Sequence, residues 1–208
     1  MMEIELKAHV YDRAKLIAML NSFAEYQKTV TKNDTYFHLQ KTDGKKNEEA
    51  NKKNYISARI RIQTEKTKSG IKTVSFLTYK RKENKTDENG ISIEVNDEKE
   101  SEISSTEAIE ALFADAGFVP ALKKKKEAMI FSAETECGKA TLELCNVEKL
   151  GDFIEIEILS GTNNAETTEK IQSELKRLLS RCGIPEKDIE SRYYSEMLNA
   201  LQKIKTNY

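Results

Sequence analysis

Met2-Glu3-Ile4-Glu5-Leu6-Lys7-Ala8-His9-Val10 opens the chain with strict alternation. Side chains two apart on a strand point to the same side. Glu3, Glu5 and Lys7 therefore share one face, and Ile4, Leu6 and Ala8 share the other. The pattern returns along the chain. Arg59 and Arg61 alternate with Ala58, Ile60 and Ile62, while Thr78, Lys80 and Lys82 oppose Leu77 and Tyr79. Lys124 and Lys126 recur after Pro120, and Glu155 and Glu157 oppose Ile154, Ile156 and Ile158. Eight candidate strands emerge, at 2–10, 34–39, 56–63, 72–82, 90–96, 123–132, 139–147 and 152–159. Short polar turns between them, such as 64–70 and 83–90, predict one antiparallel sheet or barrel. Any one of these strands reads as a half-exposed sheet with its charged side in water. The set is less ordinary, because acidic pairs sit on the first and last strands and basic pairs on those between. A closed sheet turns all of them toward a common interior and leaves the apolar outer faces for helices.

Helical periodicity appears at 12–24 behind a candidate N-cap, Asp12, with Leu16, Ile17, Leu20 and Phe23 on one face. A second helix is expected at 105–116 after Ser104, burying Ile109, Leu112 and Phe113 and stopping at Gly117. Two more are expected at 165–182 and 186–204. The stretch 40–54 is dense in Lys, Asn and Glu and reads as a solvated insertion. The expected architecture is α+β: a single domain over 1–208, built as an eight-stranded antiparallel β-barrel with helices packed outside.

Composition narrows the chemistry. The chain has 208 residues and is 33% charged, yet Lys+Arg 34 against Asp+Glu 35 leaves a net charge of −1. That balance argues against a nucleic-acid partner. No apolar run approaches the roughly 20 residues that span a bilayer, and the N-terminus lacks a signal-peptide pattern, so a cytoplasmic protein is expected. The three cysteines form no CxxC pair, and there are two histidines, which disfavours a disulfide framework, a zinc knuckle or a multi-histidine metal site. Carboxylates, lysines and arginines remain. Charges in an interior must be paired or must hold ions. Carboxylates two apart on a strand suit Mg²⁺ or Mn²⁺, and Arg and Lys suit polyphosphate. Both signs together fit a metal–triphosphate complex. Oligomeric state is open between a monomer and a homodimer.

The motifs carry a family resemblance. Glu3-Ile4-Glu5-Leu6-Lys7 resembles the ExExK signature of the CYTH superfamily, the triphosphate tunnel metalloenzymes. Asp34-Thr35-Tyr36-Phe37, Ala58-Arg59-Ile60-Arg61, Thr78-Tyr79-Lys80 and Lys124-Lys125-Lys126 resemble its later strands in order. Leu150-Gly151-Asp152-Phe153-Ile154-Glu155-Ile156-Glu157 and the segment from Ser191 to Leu198 look most like the class IV adenylyl cyclase branch. The resemblance implies a triphosphate tunnel and a bound Mg²⁺ or Mn²⁺. It implies metal ligands Glu3, Glu5 and Glu155, supported by Glu157 and Glu94. It implies triphosphate contacts from Lys7, Arg59, Arg61, Lys80, Lys124, Lys126 and Arg192, with Glu3, Glu5, Lys7 and Glu155 as the catalytic set. The implied activity is conversion of ATP to cyclic AMP and pyrophosphate. Tripolyphosphate or thiamine triphosphate hydrolysis is the alternative, and a non-catalytic polyphosphate or nucleotide binder the third reading. Cys145 stands where the branch usually has Asp, Lys126 where Arg is usual, and Met129 where Tyr is usual.

Overall fold

The computed structural model describes residues 2–39, 56–86, 92–162 and 164–206, with side chains described except at 2, 56–57, 80–86, 92–98 and 203–206. The expected insertion at 40–54 lies outside the described residues. The elements in order are β1 (Met2–Val10), α1 (Arg13–Leu20), β2 (Glu25–Leu39), β3 (Ile56–Thr67), β4 (Gly70–Thr86), β5 (Ser92–Ile103), α2 (Thr106–Asp115), β6 (Phe118–Thr135), β7 (Gly138–Val147), β8 (Gly151–Ser160), α3 (Ala165–Arg181), a 3-10 turn at Glu186–Asp188, and α4 (Tyr194–Thr206). All eight expected strands are present in one antiparallel sheet of order β1-β8-β7-β6-β2-β3-β4-β5. β1 and β5 end that order, so the sheet is not closed. Among the described residues no helix is long and apolar enough to cross a membrane.

Two compact units make up the fold, one from Met1–Thr31, Glu65–Ile71 and Lys125–Tyr208, the other from Lys32–Thr64 and Lys72–Lys124. In the first, the apolar faces seen in the sequence form the core. Ile4 and Ala8 of β1, Leu142 and Leu144 of β7, and Ile154, Ile156 and Ile158 of β8 pack with Leu16 and Leu20 of α1 and with Ile171, Leu175, Leu178 and Leu179 of α3. Each Leu and Ile among them contributes roughly 1.5–3 kcal/mol by leaving water. Period-2 alternation then commits the opposite faces of β1, β7 and β8 to the charged residues. Capping fixes the helix starts: Asp12 Oδ1 accepts from the Lys15 amide at 2.9 Å, as the sequence suggested, and Asn164 Oδ1 accepts from the Thr167 amide at 2.7 Å.

In the second unit Phe37, Ala58 and Ile60 are buried, with Leu77, Ile103, Ile109, Phe113 and Phe118 packed against them. Phe113 of α2 anchors this cluster, its ring centroid 5.2 Å from Phe37 and 4.9 Å from Phe118. Two expectations shift here. Ser105 rather than Ser104 caps α2, accepting from the Ala108 amide at 3.2 Å. Leu112, expected in the core, is 60% exposed, because the α2 contact narrows to Ile109 and Phe113.

The expected helix 186–204 is also different. It is helical only from Tyr194, after the short turn at Glu186–Asp188. Ile189 forms an antiparallel bridge with Ala8, and the Glu190 amide donates to the Lys7 carbonyl at 2.8 Å. Pairing with β1 satisfies these backbone groups, so the segment before α4 is an extended strap along the first strand.

Candidate functional site

In the first unit the strand register assembles a carboxylate face. Across β1 and β8, Glu5 lies opposite Glu157 and Lys7 opposite Glu155. Across β7 and β8, Glu143 lies opposite Glu155, Thr141 opposite Glu157, and Cys145 opposite Phe153. Like charges directly opposite one another destabilise a sheet, and the carboxyl groups register it. Burial foremost, then Glu155 and Glu3, raises the Glu5 pKa, although this residue remains accessible to water. Burial, then Glu3 and Glu5, raises that of Glu157.

One cation answers this repulsion from within. The Lys126 ammonium lies 2.6 Å from Glu143 and 2.5 Å from Glu155, and its side chain is only 7% exposed. Burial works against its charge, but the neighbouring anions, Glu155 foremost, outweigh burial and hold its pKa above the ordinary lysine value. Lys7 donates to the Arg192 backbone carbonyl, and burial pulls its pKa down. Tyr194, the first residue of α4, spreads its ring beneath both ammoniums, 4.4 Å from Lys7 and 5.5 Å from Lys126. Its hydroxyl is 3.5 Å from Cys145 Sγ. Burial, then Cys145 and Glu155, raises the phenol pKa, so Tyr194 stays protonated.

Cys145 faces the same side as Thr141 and Glu143, as alternation predicts, but it ends in an apolar setting of Ala128, Val147, Phe153, Tyr194 and Met197. Burial pushes its thiol up to about 11, so it is neutral at ordinary pH. The ligand atoms of Glu143, Cys145 and Glu155 nonetheless lie within 4.8 Å of one another. Two hard oxygen donors and further carboxylates on β1 and β8 fit a divalent cation such as Mg²⁺ or Mn²⁺. The neutral thiol is the weak member of that set.

The second unit carries a cation-rich cluster. Asp34 is fully enclosed and takes two hydrogen bonds from Arg61, Nε to Oδ1 at 2.7 Å and a terminal nitrogen to Oδ2 at 2.9 Å. Lys124 Nζ lies 3.1 Å from Oδ2, and the Tyr36 hydroxyl donates to it at 3.3 Å. Burial alone raises such a carboxyl; the Arg61 hydrogen bonds and the charges of Lys124 and Arg61 prevail and hold Asp34 well below the usual carboxylate range. Arg59 donates to Thr78 Oγ1 at 2.9 Å and to Glu100 at 3.1 Å, and its buried Nε has no partner among the described residues.

Of the residues singled out by sequence, Glu5, Lys7, Lys126, Glu155 and Glu157 meet in the first unit, with Glu3 on the same face of β1. Arg59, Arg61 and Lys124 meet in the second. The side chains of Lys80 and Glu94 lie outside the described ones; their backbones belong to β4 and β5. The Arg192 guanidinium turns to Glu190, at 2.9 and 2.5 Å, and is 60% exposed. Glu143 and Asp34, which bind the buried cations, were not among the expected site residues. Glu143 alternates with Thr141 and Cys145 in the sequence, and Asp34 opens the Asp-Thr-Tyr-Phe strand; those are the signals that point to them.

The CYTH domain family profile matches residues 1–194. A search of curated proteins returned no match. Among solved structures, the chain is similar to the PH1819 protein from Pyrococcus horikoshii OT3, with 25% identity, a TM-score of 0.64, and coverage of 97% of this chain and 99% of the other. It is similar to the PH1012 protein of the same organism at 26% identity, with a TM-score of 0.60 and coverage of 94% and 98%. A proposed adenylate cyclase from Vibrio parahaemolyticus shares the fold at 16% identity, with a TM-score of 0.62 and coverage of 95% and 97%.

Proposed function

Because the chain belongs to the CYTH domain family, we propose that it is a metal-dependent enzyme acting on a triphosphate, of the class IV adenylyl cyclase type, turning ATP into cyclic AMP and pyrophosphate. The observation that carries this reading is the carboxylate face of β1, β7 and β8, where Glu5 and Glu157 are opposed and their pKa values are raised. In this reading Glu3, Glu5 and Glu155 hold the metal, supported by Glu157 and Glu94. Lys7, Arg59, Arg61, Lys80, Lys124, Lys126 and Arg192 contact phosphate. The family's tunnel and the choice of Mg²⁺ or Mn²⁺ belong to the same proposal. A bound divalent cation supplies charge neutralisation at phosphate oxygens.

The chain's own groups do the positioning. Asp34 fixes the Arg61 guanidinium and the Lys124 ammonium while leaving that cluster cationic, so less freedom is lost when they meet phosphate. In the cyclase reaction the ribose 3′-hydroxyl gives its proton to solvent as its oxygen bonds to the α-phosphorus, the bond from that phosphorus to the bridging oxygen breaks, and pyrophosphate leaves. A second reading, a triphosphate-binding module without turnover, is favoured by one observation: a neutral, buried Cys145 stands where the related branch places a carboxylate.

Phosphorus NMR separates these. With Mg²⁺ or Mn²⁺ and ATP, tripolyphosphate or thiamine triphosphate in turn, pyrophosphate plus cyclic AMP is expected from ATP. Orthophosphate instead assigns a hydrolase. Bound triphosphate without products assigns the binding module.

A further inference from the structure

Lys126 is a buried cation positioned where a metal ion would neutralise the same groups. Its ammonium sits 2.6 Å from Glu143 and 2.5 Å from Glu155, and those two carboxylates are two of the three residues whose ligand atoms cluster within 4.8 Å. The pairing is long-range and local sequence does not force it: Lys126 is on β6, Glu143 on β7 and Glu155 on β8. We propose that Lys126 and a divalent cation compete for Glu143 and Glu155, so that Lys126 acts as a built-in counter-ion that must withdraw from them for metal to bind. This rests on the metal-dependent reading above.

The physical case is one of charge balance. Glu143 and Glu155 are partly withdrawn from water, and carboxylates drawn out of water lose hydration that a nearby cation must offset. Lys126 supplies that compensation here, and the Tyr194 ring 5.5 Å away adds a second attraction for the ammonium. A divalent cation between the same oxygens brings Lys126 into repulsion with it. The competition lowers apparent metal affinity by the strength of the lysine's hold on the two carboxylates. A triphosphate offers the displaced ammonium an alternative set of oxygens. Lys126 is therefore a residue that sets metal affinity, beyond any contact it makes with phosphate.

The test is Mn²⁺ binding to the full chain without phosphate, followed by electron paramagnetic resonance of the free ion, for wild type and Lys126→Met. The expected result is a Kd lower in the variant by about tenfold or more, within the usual range of coupling between sites. An unchanged or weaker Kd in the variant, with wild type binding normally, overturns the competition and leaves the metal-dependent reading standing. Binding by neither protein removes both. Should Lys126→Met fail to fold, ¹⁵N-lysine NMR of the wild type decides. Mg²⁺ alone should shift or broaden the Lys126 ammonium signal, and a signal unmoved at saturating Mg²⁺ overturns the proposal.

Discussion

The two units solve the same electrostatic problem with opposite signs. In the first, two carboxylates, Glu143 and Glu155, close on one buried cation, Lys126. In the second, two cations, Arg61 and Lys124, close on one buried carboxylate, Asp34. The surroundings differ as well. Lys126 has further acids nearby, so its cluster retains negative charge and two raised carboxyl pKa values. Asp34 has Arg59 as a further cationic neighbour, so its cluster retains positive charge. Each buried ion thus fixes an arrangement whose residual charge is of the opposite sign. One suits a cation and the other suits phosphate.

Removing the carboxylate at the centre of the second unit's cluster should have the largest effect. Asp34→Ala removes the enclosed carboxylate on which Arg61 and Lys124 converge, and a loss of about 3–5 kcal/mol in unfolding free energy is expected, measured by urea denaturation. A loss below about 1 kcal/mol would break the parallel between the clusters. Next comes ligand binding. Arg61→Ala should weaken tripolyphosphate binding by about tenfold or more, roughly the 1.4 kcal/mol or above of a lost charge-assisted bond, and affect monophosphate far less. Calorimetry with both ligands checks this, and equal losses would remove Arg61 from the triphosphate contacts.

The pH dependence distinguishes the units by sign. The pKa values of Glu5 and Glu157 are raised in the folded chain, so the folded state binds protons more readily, and stability falls as pH rises from their ordinary value of 4.5 through the folded values. Asp34 is depressed, so its contribution is present above its ordinary value of 3.8 and is lost as pH falls through the lower folded value. Metal-free denaturation from about pH 8 down to the acid limit of the folded chain should show the Glu limb above 4.5 and the onset of the Asp34 limb below 3.8. Glu5→Gln should flatten the upper limb alone, and a flattening of the lower limb would reassign it. The smallest effect concerns reactivity. Burial pushes Cys145 to about 11 and Cys182 to about 12, and both are buried. Iodoacetamide at neutral pH should therefore label Cys137, which is partly accessible, well before either. Fast labelling of Cys145 would mean that the Tyr194 cover opens.

The strands and their charged faces were legible because alternation is a local property: Glu5, Arg61 and Glu155 announce their faces within their own segments. The partners were not. Alternation gives Glu143 its face, but the register sets it opposite Glu155, and the contacts of Asp34 are to Arg61 and Lys124, far along the chain. The strap before α4 was misread for a related reason. Ile189 fits the helical stripe, yet its bridge to Ala8 makes it extended, and periodicity cannot weigh a tertiary hydrogen bond against a helical one. Cys145 was placed on the correct face, but its apolar cover depends on Tyr194 and Met197 arriving from α4.

The most direct test of the carboxylate face is the thermal unfolding midpoint as a function of Mg²⁺ concentration, for wild type and Glu155→Gln. A ligand that binds only the folded state raises stability by RT ln(1 + [L]/Kd). The wild-type midpoint should climb with Mg²⁺ and the climb should be lost in Glu155→Gln. A wild-type midpoint that stays flat, or one that climbs equally in both proteins, would contradict the assignment of this face to metal.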